Sequence, residues 1–112
     1  MLKQSAVVAL ATVACIVAIK GATAEEQSFS LTLKNHHFSP EELTIPANKR
    51  VRLVIRNDDS TPAEFESDDF RAEKVLPPDH EATFLIGPLE PGAYEFHDEY
   101  HEAASKSRLV AK

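Results

Sequence analysis

The feature that most constrains this chain is an alternation of apolar and polar residues in two separate stretches. In residues 29–33, Phe and two Leu residues are separated by single polar residues. In residues 50–56, Val, Leu and Ile alternate with three arginines. A period of two places one set of side chains on a buried face and the other set in water, which is typical of a half-buried β-strand. We therefore predict an all-β fold.

Turn-forming residues separate these stretches from shorter segments of the same kind. Proline fixes φ and has no backbone N–H, so we expect the seven prolines to lie between strands. Short strands with turns at this spacing favour a β-sandwich or a barrel. No stretch predicts a helix beyond a single turn after Ser39, which Pro46 would end. The shorter predicted strands are residues 73–76, 82–86, 93–97 and 107–110.

The first 24 residues predict a secretory signal peptide. Lys3 precedes an apolar run from Ala6 to Ile19, and small residues then lead to a cleavage site after Ala24. The run is shorter than the ~20 residues that cross a membrane, so we expect no stable membrane span after cleavage. Two alternatives stay open. One is a permanent anchor, and the other is lipidation of Cys15, which would leave an apolar segment at the start of the mature chain.

Residues 25–112 predict one acidic domain. Without residues 1–24, ten basic side chains face eighteen acidic ones, a formal charge of −8. This charge argues against a nucleic-acid partner, whose phosphates would be repelled. It is compatible with cations as ligands, although solubility alone also accounts for an acidic surface. The single cysteine, Cys15, lies in the apolar run, so this domain has no disulfide, thiolate nucleophile or cysteine-ligated metal.

Three separated segments share a pattern with a known family. Residues 38–53 read FSPEELTIPANKRVRL, residues 56–65 read RNDDSTPAEF, and residues 91–101 read PGAYEFHDEYH. In this order they resemble the cupredoxins, whose second segment ends in P-H-x-F and whose third reads P-G-x-Y-x-F-x-C-x-x-H. The resemblance covers residues 28–112. It implies a cupredoxin-like Greek-key β-sandwich in which the metal ligands gather at one end.

The chain departs from that pattern at the usual copper ligands. Ala63 stands where the family has its first histidine, and Asp98 stands where it has the cysteine. The histidine three residues later is retained as His101. Because a blue-copper centre depends on a thiolate, the resemblance argues against one here.

Within the family, the chain resembles the small periplasmic cupredoxin-like proteins that accompany bacterial inner-membrane iron permeases. The segments that carry this likeness are residues 61–67, TPAEFES, and residues 96–102, FHDEYHE. The resemblance implies a periplasmic location and an inner-membrane permease complex as the partner.

Carboxylates and imidazoles remain as candidate metal ligands. Asp98 and His101 are the strongest candidates, because the resemblance places them at two metal-ligand positions of the cupredoxins. Glu64 and Glu66 are two residues apart, so on a strand they share a face. His97 is expected to face away from Asp98, as a ligand or as a packed neighbour of the site. Such ligands suit Fe(II), Mn(II), Zn(II) or Cu(II) better than Cu(I), and we expect iron or copper or both. The alternative for each residue is a solvated or packed side chain.

Two adjacent histidines, His36 and His37, precede Phe38 near an expected strand end. Neighbouring residues on a strand point to opposite faces, so we do not expect this pair to chelate one ion. The serines have no convincing His–Asp context, and enzymatic activity stays an open question.

Three functions are compatible with these residues. The first is a metal-binding accessory protein of ferrous-iron uptake, which assists Fe(II) oxidation or hands iron to a permease. The second is a periplasmic copper-binding or buffering module, and the third is a metal-free interaction domain. Since a histidine ligand must be deprotonated, binding through His101 is expected to weaken below about pH 6.

Overall fold

The computed structural model describes residues 26–112, and the expected signal peptide, residues 1–24, lies outside them. The described chain forms nine strands, one 3₁₀ turn and one single-turn helix. These elements are β1 Ser28–Lys34, β2 His37–Ser39, β3 Glu42–Ile45, β4 Val51–Asn57, β5 Ala63–Ser67, β6 Ala72–Leu76, β7 Glu81–Ile86, β8 Gly92–Asp98, the 3₁₀ turn Glu99–His101, α1 Glu102–Ser105 and β9 Ser107–Ala111.

The strands form two mixed sheets. One has the order β2-β1-β4-β7, and the other has the order β3-β9-β8-β5-β6. β1 pairs with β4 in parallel, and β3 pairs with β9 in parallel, while the remaining pairs are antiparallel. Both parallel pairs join strands that are distant in sequence, as a sandwich with crossing connections requires. The prediction of an all-β sandwich is confirmed.

The core lies between the two sheets and follows the alternation seen in the sequence. Leu53 and Ile55 of β4 are buried, whereas Arg52 and Arg56 on either side of them are exposed. Phe38, Phe65 and Phe96 are also buried, and their ring centroids lie 5.2 to 5.9 Å apart. Burial of one such ring stabilises the fold by about 2 to 3 kcal/mol. This aromatic group lies between the facing sheets.

Every proline of the described chain lies outside the strands, as the sequence predicts. The structure corrects two local expectations. The single helical turn that the sequence allowed at residues 40–43 does not form, because residues 42–45 pair with β9 as the strand β3. α1 is the second correction, since no helix was predicted at Glu102–Ser105.

One end of the sandwich collects the loops that follow β1, β4 and β8. Asn57, fully buried at the end of β4, joins the loop after β4 to the end of β6 through its side-chain amide. Its Nδ2 donates to the carbonyl oxygens of Thr61 and Leu76, at 2.9 and 3.0 Å, and its Oδ1 accepts from the backbone N–H of Asp59. These bonds hold the loop after β4 against the end of β6.

Among residues 26–112, no helix has both the length and the apolar character that a membrane crossing requires.

Candidate metal centre

The last two residues of β8 point to opposite faces of their sheet. Asp98 lies opposite Phe65 of β5, and both side chains face the interior. His97 lies opposite Glu66, and both side chains face outward. The alternation of a strand therefore gives two separate groups of titratable side chains at one end of the sandwich.

The first group, here called the inner cluster, consists of His36, Asp98 and His101. One ligand atom from each residue lies within 4.8 Å of the other two. The two histidine rings stack, with centroids 3.6 Å apart and planes inclined by 16°. Both imidazole side chains are 37% exposed, whereas that of Asp98 is completely buried. The cluster is therefore a buried carboxylate beneath two imidazoles that solvent reaches.

Asp98 is held in place by hydrogen bonds to the loop around it. Its Oδ1 accepts from the backbone N–H groups of Glu64 and Tyr100, at 2.9 and 3.0 Å. Its Oδ2 lies 3.1 Å from Nδ1 of His101. Its backbone N–H donates to the hydroxyl of Ser105 at 2.7 Å. These contacts compensate the buried charge and fix the direction of the carboxylate.

α1 is what brings Ser105 back to β8. Its hydroxyl, which is 1% exposed with the rest of the residue, also donates to the carbonyl oxygen of Asp98. Hydrogen bonds between the backbone of Asp98 and the hydroxyl of Ser105 therefore hold the two ends of this segment together. Ser105 was not among the site residues expected from the sequence.

His36 enters the inner cluster from the turn between β1 and β2. Asn35 and His36 have φ values of 53° and 62°, the left-handed region that is uncommon for residues other than glycine. The carboxylate of Asp59 accepts from the backbone N–H of Asn35 at 2.6 Å and from that of His36 at 3.0 Å. Asp59 therefore stabilises the turn that places the His36 ring over His101.

Asp59 is itself buried. Burial alone would raise the pKa of its carboxyl, but the backbone donors of His36 and Asn35 and the nearby charges of His36 and Lys34 hold the pKa below its usual value. The carboxyl of Asp59 is therefore ionised in the folded protein near neutral pH.

The second group, here called the outer cluster, consists of Glu66, His97 and Glu99. His97 Nε2 lies 2.7 Å from Oε2 of Glu99 and 3.9 Å from Oε2 of Glu66. A ligand atom from each residue lies within 4.8 Å of the other two. The side chains are 16%, 22% and 45% exposed for His97, Glu66 and Glu99 respectively.

The carboxylates of the outer cluster affect each other. A hydrogen bond with Glu99, partial burial and repulsion from Glu99, Asp68 and Glu73 raise the pKa of Glu66 to about 7. Hydrogen bonds from His97 and Glu66 lower the pKa of Glu99. The pair therefore shares a proton in mildly acidic solution, with the proton mainly on Glu66.

The five ligand candidates from the sequence do not form one group. Asp98 and His101 lie in the inner cluster, and Glu66 and His97 lie in the outer cluster. Glu64 belongs to neither, although its backbone N–H is bonded to Asp98. His97 faces away from Asp98, as expected. His36 was not among the candidates, because it was placed on a strand with His37 and not in a turn.

Comparison with known proteins agrees with this fold. The sequence profile of the cupredoxin-like domain matches residues 6–111. An uncharacterized protein of Rickettsia prowazekii (strain Madrid E) is 34% identical over 80 residues, which is 71% of this chain and 64% of that protein. The chain thus spans slightly less than two thirds of that relative.

Two solved structures show the same fold. Auracyanin from Roseiflexus castenholzii superimposes with a TM-score of 0.69 at 15% identity, over 80% of this chain and 99% of auracyanin. Auracyanin A from Chloroflexus aurantiacus, described as a blue copper protein, gives 0.68 at 12% identity, over 79% and 100% of the two chains. With the profile match over nearly the whole chain, these findings show that the protein belongs to the cupredoxin-like domain family.

Proposed function

We propose that this protein binds a transition-metal ion, iron or copper, at the inner cluster and serves a bacterial ferrous-iron uptake system in the periplasm. The observation that carries the proposal is the oriented, fully buried carboxylate of Asp98 beneath the stacked rings of His36 and His101. Oδ2 of this carboxylate faces the His101 ring, so a cation held by the two imidazoles can take the carboxylate as a third ligand.

The donor set favours certain ions. Two imidazoles and one carboxylate offer nitrogen and oxygen, which suit Fe(II), Zn(II) and Cu(II). The single cysteine of the sequence, Cys15, lies outside the described residues, so the inner cluster contains no sulfur to favour Cu(I). These residues fit a transition-metal ion of borderline character and do not form a thiolate copper centre.

The exposure of the cluster supports a role in transfer. His36 and His101 are each about one third exposed, so an ion could enter and leave without unfolding of the loops. The ion is then cargo that passes to an inner-membrane permease complex. A change of iron valence during transfer would need an electron acceptor from outside the chain.

A copper-binding or buffering module is the second candidate. It is favoured by the fold shared with auracyanin A, which is described as a blue copper protein. Copper(II) binds more tightly than iron(II) at almost any nitrogen–oxygen site, so affinity in vitro does not separate the two functions. Growth of a deletion strain separates the two functions. The iron function predicts a growth defect under ferrous-iron limitation, whereas the copper function predicts sensitivity to copper.

The site is tested by anaerobic titration of the purified protein with Fe(II), Cu(II) and Mn(II). The variant His36→Ala/His101→Ala is expected to bind each ion at the inner cluster at least tenfold more weakly. The matched control is His37→Ala/His80→Ala, which removes two exposed histidines outside both clusters. Equal affinities in the two variants would contradict a site at the inner cluster and would favour a metal-free interaction domain.

A further inference from the structure

We infer that Glu66, His97 and Glu99 form a second divalent-cation site, on the outer face of the same sheet. This site is separate from the one proposed above. Its residues point away from the inner cluster, and neither site supplies a ligand to the other.

Sheet geometry brings the three residues together. Glu66 and His97 are direct partners across the antiparallel pair of β5 and β8, so their side chains leave the sheet side by side. Glu99 follows in the 3₁₀ turn, and its carboxylate returns to His97 at 2.7 Å. Two of the three side chains thus project from paired strands, which limits how far they can move apart.

The donor types match a particular class of ion. Two carboxylates and one imidazole supply oxygen and nitrogen, and the partial exposure of Glu99 leaves room for water molecules as further ligands. This combination suits Mn²⁺, Fe²⁺ and Zn²⁺, whereas Ca²⁺ and Mg²⁺ prefer oxygen alone.

The surroundings of the outer cluster also favour a cation. In the part of the chain that the structure describes, the arginine ion pairs involve Glu26, Asp58 and Glu42, and none involves Glu66 or Glu99. The charges that act on Glu66 are instead negative, from Glu99, Asp68 and Glu73. Excess negative charge at close range is relieved when a divalent cation binds.

A cavity of about 160 Å³ lies beside His97. His97 forms part of its wall, and most of the other polar lining is acidic. Its acidic lining residues are Asp68, Asp69, Glu95 and Glu102.

The test uses Mn²⁺, whose free ion is counted by electron paramagnetic resonance. The starting protein carries His36→Ala/His101→Ala, so that the inner cluster is absent. We expect it still to bind one Mn²⁺ per chain at about pH 7.5. Adding Glu66→Gln/Glu99→Gln should weaken this binding at least tenfold. Complete loss of Mn²⁺ binding in the starting variant would overturn the second site and leave the inner site intact.

A matched control separates coordination from general negative charge. Asp68→Asn/Glu73→Gln removes the same charge beside Glu66 but leaves all three ligands, so it should change the Mn²⁺ affinity by less than about threefold. An equal effect of the two double variants would overturn the inference, because a diffuse acidic surface would explain the binding. Ca²⁺ that competes as well as Zn²⁺ for the bound Mn²⁺ would contradict it in the same way.

A second readout locates the ion. Zn²⁺ should shift the imidazole ¹⁵N resonances of His97 in the starting variant, whereas those of the exposed His80 should stay unchanged. Unchanged resonances of His97 would contradict its role as a ligand.

Discussion

The inner and outer clusters contain similar side chains but are held in place by different means. Three donors, two of them backbone N–H groups, bond the carboxylate of Asp98, which has no exposed surface. Glu66 and Glu99 are held mainly by each other and by His97, and all three are partly exposed. The inner cluster is thus part of the folded interior, whereas the outer cluster rests on its surface.

The two clusters therefore contribute differently to the molecule. Buried hydrogen bonds to a charged group typically stabilise a fold by about 1.5 to 3 kcal/mol each, whereas surface contacts contribute far less. We therefore expect changes in the inner cluster to affect both binding and stability. Changes in the outer cluster should affect binding and leave stability nearly unchanged.

The largest expected effect is that of Asp98→Ala on stability. The substitution leaves the N–H groups of Glu64 and Tyr100 without their acceptor, so we expect a loss of about 3 kcal/mol. Urea unfolding measures it, with Glu66→Ala as the outer-cluster counterpart that should unfold at nearly the same urea concentration as the unmodified protein. An equal loss of stability in both variants would contradict the expectation that only the inner cluster stabilises the fold strongly.

Asp59→Ala should have an intermediate effect. Loss of the two bonds to the turn at Asn35 and His36 is expected to cost about 2 kcal/mol and to weaken metal binding at the inner cluster alone. The control is Asp58→Ala, which removes the exposed neighbouring carboxylate that bonds Arg56. Thermal unfolding and Mn²⁺ titration of both variants measure the two effects. Weaker binding at the outer cluster would show that the clusters are not independent.

The contribution of Asp59 to stability depends on pH, because the pKa of its carboxyl is lowered in the folded protein. The ionised carboxylate stabilises the folded state above the ordinary value of 3.8, and that stabilisation is lost as the pH falls through the lower pKa of the folded protein. Asp59→Ala should therefore differ least from the unmodified protein in strong acid.

Glu66→Gln should have the smallest effect on stability, visible only in the pH profile of that stability. Because the pKa of Glu66 is raised from 4.5 to about 7, the folded state binds this proton more tightly than the unfolded state. This proton stabilises the fold fully below about pH 4.5, and the contribution is lost as the pH rises to about 7. The melting temperature should therefore fall less steeply between about pH 5 and pH 8 in the variant. Glu73→Gln is the control, and an identical slope in Glu66→Gln and the unmodified protein would contradict the shared proton.

The alternation of side chains made much of the fold predictable. Leu53 and Ile55 are buried between exposed arginines, as a period of two requires. β3 was harder to predict, since residues 42–45 become a strand through their pairing with β9, which is distant in sequence. A local pattern carries no information about such a partner.

For the site, only the relative orientation of neighbouring side chains on one strand was predictable. That His97 and Asp98 face opposite ways follows from strand geometry alone. The partnership of Glu66 with His97 depends on the register between β5 and β8, which the sequence does not show. The position of His36 depends on a left-handed turn that Asp59 stabilises from another loop, so no neighbouring residue signalled it.

The adjacency of His97 and Asp98 also limits how this region can evolve. Substitution of one residue alters one cluster and leaves the other side chain in place. An insertion or deletion of a single residue in β8 before His97 would instead reverse both orientations, so that the imidazole would enter the interior and the carboxylate would face solvent. Homologues that preserve either cluster should therefore preserve the length of this strand, even where their side chains have diverged.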